Sequence, residues 1–126
     1  MVNPEAMETR FVIRLHTGRT VARVESAVGT WRRLVGLLNR RSLPCGEGLL
    51  FRPCEAIHTF GMRFSIDLVA LDGAGRVVWL RPGLRPWSLA AAPKGAEALL
   101  ELGEGTISAA SLQVGDIVTI LEDSGG

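Results

Sequence analysis

Two thiols, an imidazole and a thioether stand close together in this chain: Cys45, Cys54, His58 and Met62. All four are soft or borderline ligands of the kind that hold zinc or Cu(I). Spacing tests that chemistry. Cys54, His58 and Met62 recur every fourth residue, which on a helix would line one face. On a strand each such step covers roughly 13 Å, whereas zinc ligands must converge to about 2.0–2.3 Å from the ion. Pro53 and Gly61 argue against a helix here. Regular geometry therefore leaves only Cys54 or His58, joined by Cys45 and a distant group. The expectation is no metal and no cofactor, with zinc or copper binding as an alternative.

The same residues admit a nucleophilic reading, with Cys54 or Cys45 as nucleophile, His58 as base and Asp67 as its orienter. No motif supports it: the chain has no nucleophile elbow, phosphate loop or HExxH helix. A Cys45–Cys54 disulfide would close a short loop and contribute about 2–3 kcal/mol, given Cα atoms within about 7 Å. In a reducing compartment both remain thiols and pack as small hydrophobes.

Asp67 is the most informative of the acids. In Phe64-Ser65-Ile66-Asp67-Leu68-Val69 it alternates onto one face with Ser65, Val69 and Leu71. A carboxylate among such neighbours is costly unless paired or hydrogen-bonded. The expectation is a buried Asp67 held by an arginine, with Arg40 as candidate, or by backbone N–H groups. His58 has the parallel bland reading of a hydrogen bond to a neighbouring strand's carbonyl. Trp87 lies in the proline-rich stretch 81–94, and a tryptophan in an ordered loop is a common binding element. The candidate binding residues are thus Cys45, Cys54, His58, Met62, Asp67 and Trp87. The leading expectation is a non-catalytic module that binds a small polar ligand or a peptide. The alternative is a small hydrolase built on Cys54, His58 and Asp67.

The elements that must position these residues are mostly strands. Phe11–His16 and Thr20–Glu25 read as a hairpin, and Leu49–Phe51, Ala56–Phe60, Phe64–Leu71, Arg76–Leu80, Ala96–Leu102 and Ile117–Leu121 as further strands. Trp31, Leu34, Val35 and Leu38 recur on one helical face behind Thr30, so the principal helix is expected over Thr30–Arg40. Thr106 is expected to cap a single helical turn through Ala110. Arg81–Lys94 is expected to be an ordered loop. Met1–Arg10 and Glu122–Gly126 read as a flexible lead-in and tail around one domain spanning 11–121.

Composition narrows the classes further. A chain of 126 residues with 47% hydrophobic content can pack one core without disulfides or metal. A net charge of +1 provides no global field for nucleic acid, so no nucleic-acid partner is expected. Arg32, Arg33, Arg40 and Arg41 fit a solvated helix face and its exit. No apolar run reaches the roughly 18–20 residues needed to span a bilayer, so no membrane partner is expected. The first ten residues hold no apolar secretory stretch, and a cytoplasmic location is the expectation.

Gly36-Leu37-Leu38-Asn39-Arg40, Gly48-Leu49-Leu50-Phe51, His58-Thr59-Phe60-Gly61-Met62, Ile66-Asp67, Leu71-Asp72, Pro86-Trp87, Glu101-Leu102 with Gly105, and Gly115-Asp116 follow one another in this order. From about Ser26 to Ile120 that set resembles the domain of unknown function 192 family. The resemblance implies a mainly β fold, a jelly-roll-like β-sandwich or barrel with one packed α-helix. It implies no reaction, and it implies that many relatives are exported.

Overall fold

The computed structural model describes residues 8–14, 17–26, 42–51, 56–58 and 62–122. Nine strands are described: β1 (Glu8–Arg14), β2 (Thr20–Ser26), β3 (Glu47–Phe51), β4 (Ala56–His58), β5 (Ile66–Leu71), β6 (Val77–Leu84), β7 (Leu89–Ala91), β8 (Ala98–Gly103) and β9 (Val118–Glu122). One short helix, α1 (Thr106–Ala110), lies between β8 and β9. The protein is mainly β, as its turn-rich composition implies. The expected helix over Thr30–Arg40 lies outside the described residues.

Seven strands form one mixed sheet in the order β6-β5-β8-β3-β2-β1-β9, and β4 pairs with β7 in a separate ribbon. All neighbours in the large sheet run antiparallel except β2 and β3. Parallel pairing needs a long crossover, and residues 27–46 supply that length. The sheet curls until its two edge strands meet at one end, where Arg76 bridges Ile117. There Val77 N donates to the Asp116 carbonyl at 2.8 Å, and Val118 N to the Gly75 carbonyl at 2.9 Å.

The curl gives the sheet two apolar faces. The inner one gathers residues from all seven strands, among them Val12, Val24, Leu50, Val69, Leu71 and Leu100, and is closed by Ile107 of α1 and by Leu112. The outer one holds Leu43, Leu49, Phe51, Ile66, Leu68 and Leu99, with Ala90 and Ala92 packed against it. β5 and β8 are central and buried on both faces. Their sequences are accordingly near-continuous apolar runs rather than alternating ones.

Local chemistry sets the β5–β6 turn. Asp72 Oδ1 accepts from Ala74 N and Arg76 N, each at 2.9 Å, and Gly75 takes φ 83°, a left-handed conformation that glycine adopts without strain.

Besides shifts of a residue or two at several strand ends, among them Glu122, which closes β9 where a tail was expected, three features differ from expectation. β1 begins at Glu8, so Glu8–Arg10 pair with β2 instead of forming part of a lead-in. β6 runs on through Arg81–Leu84, and β7 occupies Leu89–Ala91, both within the stretch expected to be a loop. Pro82 suggested a break, but β6 is an edge strand, where a missing N–H costs no ladder bond. The third concerns α1. Its N-cap is Gly105, without a side-chain cap. Thr106 is its first residue, and its hydroxyl donates back to the Gly103 carbonyl at 2.6 Å.

Candidate functional site

Asp67 lies on β5 opposite Leu102 of β8, and shares the inner face with Val69 and Leu71. It is 1% exposed. Its Oδ1 accepts from Gly83 N at 2.9 Å. Its Oδ2 accepts from Gly105 N at 3.2 Å and Ile107 N at 2.9 Å. One carboxylate thus caps the amides at the start of α1 from another strand and ties in the end of β6. Backbone N–H groups are what the buried acid binds; Arg40 lies outside the described residues.

Thr106 continues this junction. Besides its bond to Gly103, its Oγ1 accepts from Gly46 N at 2.9 Å, fastening the segment before β3 to the helix start. Cys45 joins the same place: it is exposed and a free thiol, with Sγ 3.9 Å from Thr106 Oγ1. Cys45 and Asp67 therefore meet the same turn. They do so as an exposed thiol and a buried carboxylate that accepts from backbone amides.

Met62 is 5% exposed and packs in the outer-face cluster with Leu43, Phe51 and Ile66. Its thioether is a core filler. His58 is the last residue of β4 and pairs by register with Leu89 of β7; its side chain, like Cys54, lies outside what is described. Among the described residues no three His, Cys, Asp or Glu side chains converge on a metal position.

Trp87 comes four residues after Gly83 and two before Leu89. It adopts φ 59° and is 71% exposed, and Leu89 is 70% exposed. The described candidates thus have different local surroundings. Trp87 and the backbone of His58 belong to the β4–β7 edge. Asp67 and Cys45 belong to the α1 junction, and Met62 to the core.

The selection of candidates by residue type passed over several positions. Gly83, Gly105 and Thr106 complete the Asp67 junction but announce nothing by type. Glu101 is a second buried acid, 1% exposed, set between Leu49 and Leu68 on neighbouring strands. Its signal, a lone acid in the run Ala98–Leu102, is the one that singled out Asp67. A cavity of about 220 Å³ lies at the opposite end of the sheet, between the Asp72–Gly75 turn, Glu97 and Val118–Ile120.

A curled, mainly β sheet with an acid-stapled short helix is the class that this geometry defines. The chain belongs to the domain of unknown function 192 family, described as "uncharacterized ACR", whose profile matches residues 12–120. Among solved structures it is similar to a protein described as a proposed transcription regulator from Sinorhizobium meliloti 1021. The two share 24% identity and a TM-score of 0.76 over 90% of this chain and 93% of the other. It is also similar to a protein of unknown function from Novosphingobium aromaticivorans DSM 12444. That pair shares 20% identity and a TM-score of 0.75 over 94% of this chain and 91% of the other. At these identities the likeness is one of fold alone. No curated protein matches the chain significantly. Neither the family nor these neighbours establish a specific function. Among the described residues no helix is long and apolar enough to cross a membrane.

Proposed function

We propose that the protein is a non-catalytic binding module that holds a peptide segment against the surface carrying Trp87 and Leu89, beside β4. The observation that carries this reading is the conformation of Trp87, left-handed at φ 59° and 71% exposed. A bulky side chain there costs on the order of 1–2 kcal/mol, and little burial offsets it. Residues that break a local rule are often functional. Two exposed apolar side chains two positions apart suit an extended chain. A small molecule needs an enclosing cavity, so a small polar ligand is the weaker form of the reading. Asp67 supports a module without catalysis, since its oxygens already serve three amides. His58 pairs by register with Leu89, which brings its backbone beside the proposed surface. We also read the curled sheet, with the β4–β7 ribbon over its outer face, as the jelly-roll-like arrangement that the resemblance implies.

Trp87→Gly tests the reading, because it removes the ring and relieves the backbone. Stability should stay within about 1 kcal/mol of wild type. Peptides captured from a random display library by the wild-type protein should no longer bind. Captured peptides that bind Trp87→Gly equally well would place the binding surface elsewhere.

A further inference from the structure

Charge is distributed unevenly along this chain. Between Met62 and Gly95 every exposed charged side chain is a cation: Arg63, Arg76, Arg81, Arg85 and Lys94. The two acids of that stretch are Asp67, buried, and Asp72, half-buried, and both accept backbone N–H groups. The stretch therefore carries five basic and two acidic residues, and the rest of the chain nine and eleven. The near-neutral total conceals a basic stretch of sequence that contains β5, β6 and β7.

Three of these cations lie toward the Trp87 end. Arg63 shortly precedes β5, whose first residue Ile66 pairs with Leu84, and Arg85 follows Leu84 directly. Arg81 lies within β6, opposite Leu68. Neither Arg63 nor Arg81 has an ion-pair partner among the described residues. Glu104 brings one acid nearby, its carboxylate about 3.3 Å from where a Cβ on Gly83 would stand. The Asp72 turn keeps Arg76 at the other end of β6, and Lys94 lies beyond the far end of β7.

Resting on the binding reading above, we propose that the occupant of the Trp87–Leu89 surface is an acidic peptide bearing at least one apolar side chain. Its carboxylates face Arg63 and Arg81, and its apolar group packs on Trp87 and Leu89. Exposed charge pairs of this kind select partners by sign and speed their encounter, while the aromatic and aliphatic pair supplies buried apolar area. A nucleic-acid strand would need a continuous cationic track with successive stacking rings. Here Glu104 interrupts the cations, and Leu89 offers no ring. A bilayer would favour cations ringing a protruding apolar tip. Arg81 instead lies back along β6, a layout that suits an extended chain.

The test selects a random dodecamer display library on the intact protein and measures the Kd of the most enriched peptide by fluorescence polarisation. Two further probes are a uridine dodecamer RNA and phosphatidylglycerol vesicles. Enriched peptides should be rich in Asp and Glu around an apolar residue. Their affinity should fall roughly tenfold in the Arg63→Glu/Arg81→Glu double variant. Neutral or basic enriched peptides, or affinity unchanged by that double reversal, would overturn the acidic preference. If Trp87→Gly still abolishes capture in that case, the binding surface stands and only its charge selectivity falls. Failure to enrich any peptide sinks both readings, and tighter binding of the RNA or the vesicles than of any peptide replaces this occupant with another class. Should the double variant not fold, a salt titration of wild type decides. A Kd that stays flat from about 50 mM to about 500 mM salt rules out charge pairing.

Discussion

At the residue scale the clearest assignment is Asp67, and it is one of architecture. A carboxylate 1% exposed is tolerated because three amides, 16, 38 and 40 residues away in sequence, converge on it. Replacing it with alanine strands three N–H groups, one buried and two partly buried, each worth about 1–3 kcal/mol when buried and unsatisfied. Asp67→Ala should therefore lose about 3–5 kcal/mol in urea unfolding, and Asp67→Asn, which keeps one acceptor oxygen, should lose less. A loss below about 1 kcal/mol for the alanine variant would refute the stapling role. The cost comes from orphaned amides, so adding an arginine nearby should not rescue the variant. That Asp67 is buried and satisfied was readable from its place in an apolar run. The identity of its partners was not, because Gly83 and Gly105 offer only backbone and have no side chain to announce them.

At the scale of elements, the close approach of the segment before β3 to the end of β8 is decisive. A Cβ at Gly103 would collide with the Pro44 carbonyl, and one at Gly48 with the Glu101 carbonyl. Neither obstacle is a flexible side-chain end, so the backbone itself must move. Gly103→Ala should cost about 2–4 kcal/mol and lower the melting temperature by roughly 10 °C in a thermal scan. Should the variant melt with wild type, the contact with Pro44 is looser than described. Strand positions with alternating or continuous apolar character were legible, and so was the short turn of α1. The end of β6 and all of β7 were not. Proline reads as a stop for a central strand, and only the position of β6 at the sheet edge makes Pro82 harmless.

At the scale of the whole molecule, a bridge beside β6 and β9 brings the two edges of the curled seven-stranded sheet together at one end. Open edges are templates for association with other chains, and this contact covers part of both. Gly75 makes it possible, with φ 83° and the Val118 carbonyl where a Cβ would sit. Gly75→Val should destabilise the fold by about 2–4 kcal/mol. It should also produce association that increases with protein concentration, visible by light scattering after size exclusion. A variant that is destabilised but strictly monomeric would show that the edges are protected by other means.

Taken alone, the sequence determined the class of structure: an apolar fraction sufficient for one core, strands by their alternation or unbroken burial, and turns by Gly75 and Asp72. It also marked Asp67 as an acid that must be satisfied, and Trp87 as a residue of interest. These follow from local patterning, which periodicity and residue type record directly. The tertiary structure alone decided which candidates share a place. Met62 went to the core, Cys45 and Asp67 to the α1 junction, and Trp87 to an exposed turn before β7. Convergence of that kind depends on the order in which strands pair and on how the sheet curls. Both are set by contacts between residues far apart in the chain, and no short window of sequence contains them.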